Sequence, residues 1–398
     1  MMTTSLSSDD RERYQRILRA LEIVKSVGRS STAKYETMQD WVCPDNRVHG
    51  GLLYHGASTG RWTGAGVQPH NFVRGSVQDM ETAWTIIKTR DRDRICRDVL
   101  NAKGEPIGTV MDVLAHVIRG AIVPTKGKQL FVGDYASIEA RVLLWLADDQ
   151  KALDVFRNHE DIYCYMATDI YGYPCNKKDH PNERQLGKTA VLGLGYQMGA
   201  NKFMDTAALQ GIVLTQEFAQ EVVDTYRRKF WRVKNLWSQQ ETCAIDAVLD
   251  PEIEKSCGPV TWFTEGRFLY CRLPSGRCLA YADPEVRQRP TPWGAMKDSL
   301  TFMGINGFNR QWQRQTTYGG SLVENCVQAI SRDCMAEAMW RCEQSRVYAP
   351  VLSVHDEIVA EAEEGSTEEF TALMSQRPLW AEDCPIEVEV FVCNRYKK

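Results

Sequence analysis

Several familiar features are missing from this 398-residue chain, and each absence excludes a class. No stretch approaches the roughly 18 consecutive apolar residues of a membrane-spanning helix. The opening MMTTSLSSDDRERYQR lacks the apolar segment of a secretory signal, so the expectation is a cytoplasmic protein without a membrane partner. The thirteen cysteines contain no CxxC pair. That leaves neither zinc-ligand spacing nor a disulfide framework, and predicts reduced, mostly buried thiols. There is no internal repeat, no low-complexity linker and no excess of one charge sign: 48 Lys+Arg face 52 Asp+Glu, a net charge of −4. The balance is uneven along the chain, however. Residues 1–130 hold 19 basic against 14 acidic residues, and residues 357–398 hold 4 against 10, so a local basic surface is compatible with the acidic total.

With 43% hydrophobic and 25% charged residues, a chain of this length buries a large core and divides into two or three lobes. Tyr14, Ile17, Leu18, Leu21, Val24 and Val27 recur at three- and four-residue spacing and predict one amphipathic helix over residues 9–34. Residues 50–75, rich in glycine and polar side chains, read as strand and loop. A strand leading into a helix is expected near 126–149, mostly helix over 151–250, and a β-rich patch over 262–284 with Gly276 as its turn. A helix near 320–345 and the strands VLSVHDEIVAEA and IEVEVFV complete the chain, and EAEEGSTEE reads as a loop and helix start.

Two stretches place carboxylates where they are costly. VLSVHDEIVAEA carries His355, Asp356 and Glu357 inside an apolar run, and LFVGDYASIEAR places Asp134 directly after another. Charges in half-buried strands need a partner or a metal. Two such strands side by side could hold divalent cations, because hard ions such as Mg²⁺ prefer carboxylate oxygens and leave positions open for phosphate. Taken singly, each also fits a strand-end cap or a surface triplet.

In NERQLGKTAVLGLGYQMG, the residues Arg184, Lys188, Leu192 and Tyr196 are four apart. On a helix they share one slowly drifting face about 18 Å long, the reach of a nucleotide. Two cations at one end suit a triphosphate, and an apolar residue and an aromatic ring suit sugar and base. An amphipathic surface helix with two solvated cations would look the same. Gly187, Gly193 and Gly195 lower helix propensity and point to something packed closely there.

The order DYASIEAR, RQLGKTAVLGLGY, VHDE resembles the three signature motifs of the family A DNA polymerases, the bacterial DNA polymerase I type, and especially their phage members. TGRWTGAGVQPHN, DIYCYMATDIYG, LPSGR and LVENCVQAISRD also fall in the family's order, so the resemblance covers nearly the whole chain. It implies an α+β right-hand polymerase fold with an antiparallel palm sheet, helical fingers and a thumb reduced to a remnant. The remnant helix and linker would occupy residues 1–48, the first part of the palm 49–146 with Asp134, the fingers 147–318 with a nucleotide-binding helix at 182–199, and the second part of the palm 319–398 with Asp356.

The activity implied is template-directed addition of deoxynucleotides to a primer 3′ end. By resemblance, Asp134, Asp356 and the backbone carbonyl of Tyr135 ligate two Mg²⁺ ions, for which Mn²⁺ can substitute, and Glu357 is a supporting carboxylate near the primer end. Arg184 and Lys188 hold the triphosphate, with Lys188 also protonating the leaving group. Tyr196 lies near the templating base, Leu192 and Tyr163 near sugar and phosphates, and Glu139 blocks a ribose 2′-hydroxyl. Arg61, Gln68, His70, Asn71, Arg141, Gln328 and His355 match positions that meet primer or template, with Arg141 alternatively anchoring Glu139. Such contacts check pair geometry more than sequence.

Departures from the pattern bear on some of these roles. Leu192 stands where the family usually has Phe or Tyr, Tyr163 where bacterial members have histidine, and Ala136 and Ser137 where Ser and Gln are common. Only 133 residues precede Asp134, fewer than the family's thumb and exonuclease need. The resulting expectation is a polymerase without its own 3′–5′ exonuclease, working with primer-template DNA, deoxynucleoside triphosphates and a separate thumb, exonuclease or processivity protein, in the host cytoplasm for a phage-encoded member. A two-metal nuclease and a DNA-binding subunit of a split polymerase are the alternatives. A nuclease has no need of Arg184 and Lys188 ahead of Tyr196, and a silent subunit has no chemical reason to keep the aspartates.

Overall fold

A computed structural model describes residues 8–27, 30–290 and 294–397. Within the N-terminal apolar pattern, α1 (Ser8–Val27) and α2 (Ser30–Trp41) are helical, and residues 28 and 29 of the helix expected over 9–34 lie outside the described residues. The two helices differ in packing. Tyr35 and Met38 of α2 lie against Val67, Phe72 and Ile118, and the Tyr35 hydroxyl donates to Leu114 O (2.8 Å). Tyr14, Ile17, Leu18, Leu21 and Val24 of α1 are exposed.

The predicted strand-and-loop region contains one short antiparallel pair, β1 (Leu52–Leu53) with β2 (Thr63–Gly64). Three short helices follow, α3 (Met80–Lys88), α4 (Arg92–Asp98) and α5 (Val110–Val117). Asp79, Asp91 and Thr109 cap them by accepting backbone N–H bonds. Their apolar faces close into a small core around Ile86, Ile95 and Val113.

After β3 (Gln129–Tyr135) the chain is helical, as expected: α6 (Ile138–Leu146), α7 (Gln150–Arg157), α8 (Ile162–Tyr171), α9 (Pro181–Leu194), α10 (Ala200–Leu209), α11 (Gln216–Lys229) and α12 (Trp231–Leu249). The β-rich patch is larger than the sequence pattern indicated. It is an antiparallel sheet of β4 (Lys255–Cys257), β5 (Val260–Glu265), β6 (Phe268–Arg272), β7 (Cys278–Pro290), β8 (Met296–Ile305) and β9 (Trp312–Thr316), paired in chain order. Gly276 makes the β6–β7 turn at φ +84°. The long helix α13 (Gly319–Ser345) follows, then β10 (Ala349–Val354), β11 (Glu357–Ala362), α14 (Thr367–Ser375) and β12 (Val388–Cys393). EAEEGSTEE closes β11 and opens α14, where Ser366 caps the helix by accepting from Glu369 N (3.1 Å).

The second sheet, in the order β10-β11-β3-β12, is antiparallel throughout and buries β3 at its centre. One face packs Phe131 and Tyr135 on α14, and a Cβ on Gly133 would lie 2.1 Å from Met374 Sδ, so only glycine lets the helix approach this closely. On the other face Leu130, Val132, Val354 and Val359 close over Tyr396. VLSVHDEIVAEA is therefore not one strand. It is a hairpin, with His355 and Asp356 in a two-residue turn and His355 at φ 57°. Apolar residues on both sides of the turn hid it, because the turn contains no glycine, proline or asparagine.

Candidate active site

The hairpin turn brings the two sequence-predicted aspartates to one end of the sheet. Asp134, next to last in β3, is paired with Glu357, and Tyr135 N–H donates to Asp356 O (3.1 Å) across the β3–β11 junction. A strand residue points its N–H and C=O the same way, so the Tyr135 carbonyl also faces Asp356. Asp134 and Asp356 are half-buried. Two carboxylates and a carbonyl, at the end of β3 and in the adjoining hairpin turn, are hard oxygen donors of the kind that a divalent cation takes.

Glu357 is fully buried beside them. Its Oε1 accepts from the Tyr396 hydroxyl, which in turn accepts from Arg119 Nη1 (2.8 Å). Burial, with Glu357 adding, pushes the Tyr396 phenol up, so it remains a donor. Arg119 is itself buried and holds Val73 O and Phe72 O. Neither Arg119 nor Tyr396 stood out in the sequence. Tyr396 has no motif around it, and its role exists only through the tertiary contact.

The four-residue spacing on α9 does produce one face, on which Arg184 and Lys188 are partly exposed and Leu192 is exposed. The helix ends at Leu194, five residues before the predicted boundary, so Tyr196 lies in the following turn. Close packing explains the stop. A Cβ on Gly195 would sit 2.6 Å from Leu143 Cδ2, and Gly195 O accepts from the Trp237 indole (2.8 Å). Gly187 is the closest approach: its Cβ would lie 2.2 Å from Tyr163 O, which sets α9 directly on α8.

Tyr163 consequently lies under the cations. Arg184 and Lys188 stand 5.2 Å and 5.8 Å from its ring centroid, and its hydroxyl shares a 2.9 Å hydrogen bond with Ser137 Oγ, three residues after Asp134. Burial pushes its phenol up. Arg184 Nε donates to Asp161 Oδ2 (2.6 Å), while Asp161 Oδ1 caps α8 by accepting from Tyr163 N and Cys164 N (2.9 and 3.1 Å). Asp161 is thus fixed by a helix terminus and turns the guanidinium so that its Nη edge stays free of that bond. The sequence carried one signal for it, an aspartate at the expected N-cap of a helical run. Lys188 makes no ion pair with any described residue.

Beyond α9, Arg61 pairs with Glu139 Oε1, and the Tyr196 hydroxyl reaches Glu139 Oε2 (3.4 Å). Burial, reinforced by Glu139, holds the Tyr196 phenol and the Glu324 carboxyl of α13 above their usual ranges. Gln328 donates to Glu324 Oε1 (3.2 Å). Arg141 does not anchor Glu139. It is buried over the Phe156 ring and donates to Ala136 O, Pro385 O and Glu387 Oε2, tying α6 to the approach of β12. The loop before α3 places Asn71 and Gln68 in contact (2.9 Å) and sets His70 edge-on to His355, 5.3 Å between rings, with His355 Nε2 3.2 Å from His70 O. Burial first, and His355 second, lower His70 to about 4.

Comparison with known proteins points to one family. Residues 104–249 match the family described as DNA polymerase family A. A DNA polymerase of Bacillus phage SP02 is 36% identical over 385 residues, covering 96% of this chain and 57% of the relative. The thermostable DNA polymerase I of Thermus aquaticus is 31% identical over 280 residues, covering 70% of this chain and 28% of the relative. Among solved structures, the POL domain of Pol1 from M. smegmatis, in complex with DNA primer-template and dNTP, superposes with a TM-score of 0.55 at 19% identity, covering 91% of this chain and 50% of that one. The chain carries a family A DNA polymerase domain with the right-hand polymerase fold, and it spans only part of the length of these relatives.

Proposed function

We propose that this chain is a template-directed DNA polymerase that adds deoxynucleoside triphosphates to a primer 3′ end. The observation that carries this reading is the junction of Asp134 and Asp356 linked, through Ser137 and Tyr163, to the cationic face of α9. Two Mg²⁺ ions, with Mn²⁺ able to replace them, would be held by Asp134, Asp356 and the Tyr135 carbonyl and would lower the pKa of the primer hydroxyl and neutralise the departing pyrophosphate.

The side chains around that centre divide the remaining work. Arg184, oriented by Asp161, offers its Nη edge to the triphosphate; Lys188 supplies a second cation and a proton for the leaving group. Tyr163 stands where bacterial members have histidine and lies as a ring beneath both cations. Glu139, held by Arg61, bars a 2′-hydroxyl, and Tyr196 meets the templating base. Leu192 lacks the phenol of tyrosine-bearing relatives, so dideoxynucleotides are discriminated against. Arg61, Gln68, His70, Asn71, Gln328 and His355 serve the minor-groove side of the primer-template, and Glu357 supports the metal carboxylates from the buried side. The residue ranges given above for palm and fingers belong to the same reading. So does a separate protein supplying thumb-like contacts or an exonuclease, for which the exposed apolar face of α1 is the support.

A nuclease built on the same two aspartates would have no use for the α9 cations. Extension of a labelled primer by the purified chain, with and without Mg²⁺, separates the two: growth in Mg²⁺ alone supports the polymerase, and shortening without growth overturns it.

A further inference from the structure

The β8–β9 hairpin presents two unlike faces. On the inner face Phe302 packs edge-on to Tyr281 (ring centroids 5.1 Å apart), whose hydroxyl accepts from Asn325 Nδ2 of α13 (3.0 Å). Cross-strand partners share a face and alternate along each strand. Ile305 and Trp312, paired across β8 and β9, therefore stand on the outer face. With Phe308 in the turn between them they are 62%, 59% and 100% exposed. Residues 299–318 contain Arg310 and Arg314 and not one carboxylate, in a chain whose net charge is −4. Arg314 is engaged by Glu285 (2.6 Å); Arg310 has no ion-pair partner among the described residues.

The hairpin also has a defined place relative to the site. β9 runs through Thr317 and Tyr318 into α13, whose Gly320 N–H donates to Gln197 Oε1 (3.0 Å) and whose Cβ, if present, would lie 2.4 Å from Tyr196 O. The strand thus starts outside and ends against the turn that carries Tyr196. At about 3.4 Å per residue, Trp312 is about 14 Å farther out than Thr316.

We propose that this hairpin tip is a stacking platform for single-stranded DNA, namely the unpaired template strand ahead of the active site. The inference rests on the polymerase reading, which puts the templating base near Tyr196. Exposed rings interleaved with Arg, Asn and Gln donors, and free of carboxylates, suit bases and phosphates. A protein partner fits the tip less well. Three apolar side chains ringed by Asn306, Asn309, Arg310, Gln311 and Gln313 are far from the ~1,000 Å² that a stable protein interface buries, whereas stacking needs only ring faces.

The test compares labelled primer-templates sharing one duplex, with a 5′ overhang of roughly 2 or roughly 12 nucleotides, the longer within the ~4–16 nucleotide span of single-strand sites. Fluorescence anisotropy gives the affinities. The wild type is expected to bind the long overhang about tenfold more tightly, and the Phe308→Ala/Trp312→Ala variant to lose that preference while keeping its affinity for the short overhang. Both side chains are largely solvent-exposed, and an unchanged melting temperature checks that the variant folds. Arg310→Ala is expected to flatten the salt dependence on the long overhang only. Equal affinity for both overhangs in the wild type, or a preference that survives the double substitution, overturns the proposal and leaves the tip to a protein. Extension of the short-overhang primer is scored separately, so failure of the polymerase reading is not confused with failure of the platform.

Discussion

The sheet around Asp134 and the helix α1 hold similar apolar residues in opposite settings. In the sheet, Leu130, Val132, Val354 and Val359 are shut over Tyr396. In α1, Ile17, Leu21 and Val24 stand in water, the last of them 67% exposed. Full burial of such a side chain contributes about 1.5–3 kcal/mol. The sheet gains that several times over and so fixes its carboxylates before any ligand arrives, as a pre-organised site requires. The α1 helix gains little of it unless something covers its face.

The strongest way to break this contrast is at the carboxylates themselves. Asp134→Asn or Asp356→Asn is expected to lower single-turnover extension at least ~1,000-fold, the several kcal/mol a metal-organised transition state represents, with duplex affinity nearly unchanged. Near wild-type extension in either variant would falsify the two-metal assignment. One layer deeper, Tyr396→Phe removes the phenol that donates to buried Glu357, and urea unfolding should show a loss of about 1–3 kcal/mol. A loss below a few tenths would mean that the sheet does not depend on this bond.

The edge of the site adds a pH term. His70 titrates near 6.5 when unfolded and about 4 in the folded chain, so the folded state binds fewer protons between those values. Its contribution is full above pH 6.5 and is lost as pH falls toward 4, roughly 1–2 kcal/mol after allowance for partial solvent screening. His70→Gln should flatten the stability profile in that window. An unaltered profile would place the acid sensitivity elsewhere.

How much of this was legible beforehand follows the same division. The α9 face could be read because helical spacing is a local property, and the boundary at Leu194 could not, because contacts of Gly195 with Leu143 and Trp237 decide it. Asp134 and Asp356 were visible as charges in apolar runs. That they meet through a hairpin turn was not, since His-Asp is not a turn signature and tertiary pairing with β3 imposes it. Arg141 looked like a DNA contact from its place in the motif, yet its three partners come from residues 136, 385 and 387.

A smaller effect sharpens the nucleotide side of the comparison. Asp161→Asn keeps an N-cap acceptor for α8 but removes the charge that orients Arg184. Steady-state assays should show KM for the nucleotide raised about 3- to 10-fold with kcat within about twofold, a change of the size of one charge-assisted hydrogen bond, and an unaltered melting temperature. A lowered KM would mean that Asp161 competes with the triphosphate instead of orienting its receptor. A lowered melting temperature with KM unchanged would reduce Asp161 to a cap.

The smallest expected effect is at α1. Leu21 and Val24 are already in water, so Leu21→Ser with Val24→Ser should change the unfolding free energy of the isolated chain by no more than about 0.5 kcal/mol. Leu130→Ala, which opens a cavity beneath Tyr396, should cost about 2–5 kcal/mol in the same urea titration. The pair is a direct measure of the difference between the two regions, because both substitutions remove apolar side chains and only their surroundings differ. If the α1 variant loses more than about 1 kcal/mol, its face is packed against the chain in solution and the contrast with the sheet collapses. If it loses nothing, the face is free to be covered, and substitutions there should act on a partner's affinity rather than on folding.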